Sequence, residues 1–244
     1  LKGKSGGPYI YSKVVFGDFI GFLVAWGYWI SCWVNNAAIA VAIVSALSFF
    51  FPELVTNPFY ATITGLSFIW FFTFTSSKGI KSSGNIQILT TIAKLIPLVL
   101  IIVFGFFTFD LELFPEFNLT NQTDFEILPV VAVMTLYAFL GLECASIPAE
   151  NIKNPEKTIP RATMTGTLIS TLIYILSTIV LFGILPIETL INSPAPFAEA
   201  GEIIGGKYVG YFISAGAAIS AIGALNGWIL ITSYMPMTMA DDNL

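Results

Sequence analysis

The sequence predicts an all-α, multi-pass transmembrane helix bundle, and three observations carry that prediction. The chain is 56% hydrophobic and only 10% charged, with a mean hydropathy of +0.83. Its apolar residues run on unbroken for about the 20 residues that a bilayer crossing requires. Its lysines and arginines gather in alternate connections between those runs. A soluble domain carries about 25% charged residues, so this chain lacks the polar residues to cover a water-facing surface, and lipid is the solvent that fits. All 244 residues are read as a single transmembrane domain spanning 1–244.

Taken in order, the first apolar stretch covers 19–51, longer than one crossing needs, so the reading has it tilted or projecting beyond the lipid. Pro52 and Glu53 close it. The second covers 60–74 and is ended by the polar run Thr75, Ser76, Ser77, Lys78 and Gly79. The third covers 86–109, with Pro97 expected to bend it. The fourth, 127–147, ends at Pro148. The fifth, 162–185, follows Pro160 and Arg161 and stops at Pro186, and the sixth covers 208–239. The chain starts without Met or a signal-like apolar segment and stops directly after the sixth stretch, at Ala240 to Leu244, so both ends are read as truncations.

Six crossings make the connections alternate sides, and the basic residues test that count independently of hydropathy. Lys2, Lys4 and Lys13 precede the first stretch, Lys78, Lys81 and Lys94 surround the second-to-third connection, and Lys153, Lys157 and Arg161 occupy the fourth-to-fifth. These share one side, which is therefore cytoplasmic. Lys207 alone falls opposite, among Glu53, Asp110, Glu112, Glu116, Asp124, Glu126, Glu188, Glu199 and Glu202. The pattern predicts a multi-pass protein of the cell membrane in contact with the lipid bilayer.

Several function classes are disfavoured at once. The chain has no His, and Cys32 and Cys144 stand singly in apolar runs, so neither a metal site nor a disulfide framework is predicted. A membrane enzyme would need a nucleophile–base pair or a metal cluster, and a channel would show a repeated pore loop or ring-forming charges. The sequence displays none of these features. No cofactor and no nucleic-acid partner are expected.

An ionisable group inside a spanning segment is costly and is by default a functional candidate. Glu143 is the carboxylate set well inside, in Leu136-Tyr137-Ala138-Phe139-Leu140-Gly141-Leu142-Glu143-Cys144-Ala145-Ser146, whereas Asp18 lies near an end. Gly141 and the small residues after it weaken the helix. The sharper reading is a break near Phe139 to Gly141 that frees backbone groups into a water-filled cavity, the arrangement that forms substrate sites in secondary transporters. The plainer reading is a carboxylate near the helix mouth that reaches water or a neighbouring helix. Tyr137 stands just before the break, where its ring could cover a cation or simply pack. In the first stretch Asn35 and Asn36 lie deep within Tyr28-Trp29-Ile30-Ser31-Cys32-Trp33-Val34-Asn35-Asn36, either binding helices together or facing a ligand. In the sixth, small residues surround the large Trp228. Composition and periodicity do not separate transporter from channel or receptor.

Four blocks carry a family resemblance across essentially the whole chain. They are Ser5-Gly6-Gly7-Pro8-Tyr9-Ile10-Tyr11; Tyr28 to Asn36; Tyr137 to Ser146 followed by Asn154-Pro155-Glu156 and Ile159-Pro160; and Asn226-Gly227-Trp228 with Ala240-Asp241-Asp242. In order and spacing they resemble the amino acid–polyamine–organocation (APC) transporters, especially the bacterial basic amino-acid and polyamine antiporters. The resemblance implies a LeuT-like inverted-repeat fold of twelve helices, of which this chain supplies helices 3 to 8, in a cell membrane that is the bacterial inner membrane. It implies secondary active transport of amino acids by alternating access, as a permease or exchanger, with polyamine or basic amino-acid antiport as the alternative.

By the same resemblance Tyr28 is an outer-side gating aromatic, Asn36 a substrate-contacting amide, and Ser31 and Cys32 near neighbours of the same cavity. Tyr137 takes the place of the middle-gate aromatic, which is commonly Trp. Leu140 is the apolar contact after the break, Glu143 the acidic residue tied to substrate charge or proton response, and Trp228 the aromatic facing the cavity and a further gate. The partner implied is a small amino acid or amine. Proton or counter-substrate coupling and homodimeric assembly stay open.

Overall fold

The computed structural model describes residues 6–78, 80–147 and 152–242, and within them the side chains of all but 80–88, 137, 138 and 145. The described residues form α1 (Pro8–Phe16), α2 (Asp18–Ser48), α3 (Glu53–Thr56), α4 (Pro58–Ser77), α5 (Ile80–Gly105), α6 (Asp124–Phe139), α7 (Pro155–Phe182), α8 (Ile187–Asn192), α9 (Pro196–Gly205) and α10 (Lys207–Asp241). Among them α2, α4, α7 and α10 have the length and apolar composition to cross a membrane, and Leu89–Gly105 of α5 is a shorter apolar helix. Outward faces carry large apolar side chains, such as Trp70, Phe71 and Phe74 on α4 and Leu168, Leu172 and Ile175 on α7. A surface of that kind is tolerated by lipid and not by water.

Local chemistry sets the helix ends. Proline at the first helical position starts α4, α7 and α9, where its missing N–H is no loss and its fixed φ suits a helix. Asn57 caps α4 by accepting the Phe59 N–H at 3.0 Å. At the start of α6, the Thr123 N–H and hydroxyl both donate to the Glu126 carboxylate at 2.9 Å. Those two donors hold the Glu126 carboxyl below its ordinary pKa, because they favour the ionised form. Helix α1, which hydropathy alone does not reveal, is set off from α2 by Gly17 at φ 89°, a left-handed conformation suited to glycine.

Helix α10 is the longest, at 35 residues, and forms the spine against which α2, α5, α9 and α4 pack. Against α2, the buried Ser214 hydroxyl donates to the Ala46 carbonyl at 2.8 Å. Around Ile43 and Leu225, both fully buried, Ile39, Phe72 and Ile229 close a core shared by α2, α4 and α10. Against α5, backbone approach is so close that a Cβ on Gly216 would fall on the Pro97 ring, and one on Gly223 on the Thr90 side chain. Small residues at such crossings let helices associate in lipid, where no hydrophobic drive separates helix from solvent. Gly216→Ala is therefore expected to lower stability by about 1–3 kcal/mol through overpacking. Gly166→Ala on α7, which would meet nothing within 4 Å, is expected to be neutral or to stabilise by up to about 1 kcal/mol. Thermal unfolding of the two purified variants checks this contrast, and equal midpoints would contradict it.

One end of the bundle is fastened by α1. Tyr9 and Ile10 join Ala25, Ile147, Tyr234, Met235 and Met239 in one core. The Tyr9 hydroxyl donates to Asp242 at 2.6 Å, and the Lys13 ammonium reaches the same Asp242 oxygen at 2.8 Å and Asp18 at 3.4 Å. Burial and the Asp242 carboxylate together raise the Tyr9 phenol above its usual pKa, and the same carboxylate raises Lys13. Through the Gly6 N–H, which donates to the Ile147 carbonyl at 3.0 Å, this end of the bundle grips the segment that follows α6.

Candidate functional site

That segment is where the backbone is least regular. Helix α6 ends at Phe139, Gly141 adopts φ 104°, and Leu142–Ser146 forms a short 3₁₀ turn. The stretch drawn over 127–147 in the sequence is thus helix, turn and tighter helix in succession. A side chain at Gly141 would suffer the strain of positive φ and would stand 3.3 Å from Cζ2 of Trp228. Glycine is needed here on both counts.

Glu143 folds back over the break. One carboxylate oxygen accepts the Gly141 N–H at 3.1 Å and the other accepts the Tyr28 hydroxyl of α2 at 2.7 Å. Cys144 Sγ lies 3.8 Å from the same hydroxyl. Charge-assisted bonds of this kind are stronger than neutral ones, so the carboxylate both satisfies a freed backbone donor and ties α2 to the residues beyond the break. Cys32, fully buried, sits one turn along α2 from Tyr28.

Beside the break lies a cavity of about 370 Å³ lined by Leu140, Gly141 and Cys144, by Gly227 and Trp228 of α10, by Thr167, Ser170 and Tyr174 of α7, and by Lys94 of α5. A volume of this order is typical of small-molecule pockets. Lys94 and Ala224 also line a second cavity of about 370 Å³ that extends along α5 and α10 to Phe197 of α9. Lys94 therefore stands where two cavities adjoin, with no ion pair among the described residues.

Of the residues singled out from sequence, Leu140 and Trp228 face one cavity, with Glu143, Tyr28 and Cys32 grouped beside it. Ser31 is exposed and donates to the Tyr28 carbonyl at 2.6 Å, away from the cavity. Asn36 lines a different cavity and donates to Thr232 at 3.0 Å. The side chain of Tyr137 lies outside the described residues. Tyr28 donates to Glu143, which lies beyond Gly141 in the direction of the basic connection that carries Lys153, Lys157 and Arg161.

Lys94 was assigned by the basic-residue census to a connection, yet it is a helical residue of the cavity wall. The available signal was its position well inside the apolar stretch 86–109, where a cation is costly. Thr167, Ser170 and Tyr174 carried no such signal, because hydroxyls at helical spacing serve packing as readily as binding.

The sequence profile described as amino acid permease matches residues 1–244. Among curated proteins, the chain is 31% identical over 240 residues to a cadaverine/lysine antiporter of Escherichia coli strain K12, covering 98% of this chain and 54% of the relative. It is 32% identical over 246 residues to an arginine/ornithine antiporter of Pseudomonas aeruginosa, covering 98% and 51%. It is 33% identical over 254 residues to an arginine/agmatine antiporter of Chlamydia pneumoniae, covering 96% and 50%. The chain spans about half the length of the curated relatives it matches.

Proposed function

Because the chain belongs to the amino acid permease family, we propose that it is the central part of a secondary transporter that exchanges amino acids or the amines related to them by alternating access. The observation that carries the reading is the interruption at Leu140–Gly141, set against Trp228 on a cavity that also holds Lys94. An interrupted helix presents backbone groups to a ligand where a continuous one would keep them bonded. The cavity adds a cation, Lys94, on one wall, and the carboxylate of Glu143 lies just past the break. An amino acid meets a complement to each of its two charges, and an amine that lacks the carboxylate meets only that of Glu143.

In this reading Tyr28 and Glu143 form the cytoplasmic closure, and Trp228 packs against the substrate. Six crossings, over 19–51, 60–74, 86–109, 127–147, 162–185 and 208–239, set the basic connections in the cytoplasm. Exchange follows from a single site that returns across the membrane only when occupied, so the two substrates compete for the same residues. The names of the relatives favour basic amino acids and their decarboxylation products as cargo.

Counterflow in proteoliposomes of the full-length protein tests this. Labelled lysine, arginine and cadaverine are expected to enter faster when the vesicles hold one of the three unlabelled, by several-fold over empty vesicles. Uptake without that stimulation would replace the exchanger by a permease. Absence of flux for these substrates and for a neutral amino-acid panel would overturn the transport reading.

A further inference from the structure

The chain is held very differently on the two sides of the Gly141 break. Before it, residues 124–136 of α6 include no buried side chain, whereas after it Ser146 and Ile147 are buried, Ile147 completely. What buries them comes from far along the chain. Ile147 lies in the core built on Tyr9 and Ile10 of α1 and on Tyr234, Met235 and Met239 of α10. Its carbonyl accepts the Gly6 N–H at 3.0 Å, so two buried main-chain groups satisfy each other across the bundle.

Gly6 and Gly7 form the elbow that permits this approach. Both have positive φ, 118° and 46°, a region that favours glycine. The elbow is closely packed on two faces. A Cβ on Gly6 would stand 2.9 Å from Cγ2 of Thr238 on α10, and one on Gly7 would stand 2.9 Å from Oγ of Ser146 and 3.1 Å from Cγ1 of Ile147. Ser146 passes the contact on. Its hydroxyl donates to the Glu143 carbonyl at 2.6 Å, and the Glu143 carboxylate accepts from Tyr28 and from the Gly141 N–H. Elbow, Ser146, Glu143 and Tyr28 are thus contiguous. The elbow also has a support behind it, because Tyr9 and Lys13 tie α1 to Asp242 at the end of α10.

We propose that Gly6 and Gly7 are positioning residues: the elbow is the seat on which the turn Leu142–Ser146 rests, and it sets where Glu143 meets Tyr28. Neither glycine lines the cavity beside Trp228, so both act through the turn and not by touching substrate. The effect on exchange rests on the transport reading, and the effect on the Tyr28–Glu143 contact does not. A role in stability alone predicts something different, a weaker fold in which the contact of the folded protein is unchanged. Gly17, at the other end of α1, supplies the comparison. Its φ of 89° also favours glycine, but a Cβ there would meet nothing within 4 Å. Alanine at Gly17 strains the same helix without touching the turn.

The test is the rate at which a thiol reagent labels Cys144, whose sulfur lies 3.8 Å from the Tyr28 hydroxyl, in the folded full-length protein carrying Cys32→Ala. Gly7→Ala is expected to raise that rate about tenfold, because crowding against Ser146 is relieved only when the turn leaves its seat. Gly17→Ala is expected to stay within about twofold of the parent. Counterflow exchange by the same samples is expected to fall at least about fivefold in Gly7→Ala. Should Gly7→Ala fail to fold, Ser146→Val stands in with the same expected rise, since it crowds the elbow from the turn's side and drops the bond to the Glu143 carbonyl. The proposal is overturned if labelling of Gly7→Ala, or of Ser146→Val where that stands in, stays within about twofold of the parent. It is overturned equally if Gly17→Ala raises labelling as much, or if labelling rises while exchange runs at the parent rate. A parent that exchanges nothing would remove the transport reading, and the labelling rates would still decide whether the elbow seats the turn.

Discussion

Replacing Gly141 by alanine is expected to cut exchange by roughly fivefold to a hundredfold while leaving the protein folded in the membrane. Two effects act in the same direction. At φ 104° a Cβ imposes backbone strain, for which about 1–3 kcal/mol is typical. Alanine also favours an uninterrupted helix over glycine by about 1 kcal/mol, so α6 is biased to run on into Leu142–Ser146. A continuous helix would carry Glu143 off the Gly141 N–H it now accepts at 3.1 Å and re-bond the freed backbone groups. The added methyl would also press on Trp228 Cζ2 at 3.3 Å, tighter than ordinary contact. Gly141→Asn is expected to lie between wild type and alanine, because asparagine tolerates positive φ better. Counterflow rates normalised to protein in the vesicles decide the matter, with Gly166→Ala as the control for a glycine in open surroundings. A wild-type rate for Gly141→Ala would mean that the interruption has no part in transport.

The break at Gly141 was legible in the sequence because a glycine followed by small residues beside a carboxylate departs from the surrounding apolar run. The same holds for the long helices, whose composition leaves them no other solvent than lipid. Helix α1 was not legible from hydropathy, since its anchors are Tyr9 and Ile10 against α10 and the pair of Lys13 with Asp242, residues more than two hundred positions apart. Lys94 was hidden differently. A census that sorts cations by side assigns each one to a connection, and only the packing of α5 on α10 through Pro97 and Gly216 turns this one toward Trp228's cavity. Asn36 illustrates the remaining gap. Adjacent amides on α2 promise at least one polar contact, but which cavity receives Asn36 depends on Thr232, a residue that sequence reading had no reason to choose.

Cys144 supplies a built-in reporter for the second large effect. It is a free, partly buried thiol 3.8 Å from the Tyr28 hydroxyl, so anything that opens the Tyr28–Glu143 contact exposes it. In a Cys32→Ala background, the rate of Cys144 labelling by a thiol reagent is expected to rise about tenfold in Tyr28→Phe, the population shift that loss of one charge-assisted bond of about 1.5 kcal/mol produces. Glu143→Ala is expected to go further, because it strands both the Tyr28 hydroxyl and the Gly141 N–H. Glu143→Gln should fall short of either: its amide nitrogen can donate to Tyr28 while its oxygen accepts from Gly141, which preserves the geometry and removes only the charge. Labelling of the double variant Tyr28→Phe/Glu143→Ala completes a cycle in which the two single effects are sub-additive, since each removes the same bond. Strict additivity, or labelling unchanged in both single variants, would dismiss this contact as the closure. Sub-additive labelling together with slowed exchange would identify the bond between α2 and the turn after Gly141 as the element that opens and re-forms with each passage of substrate.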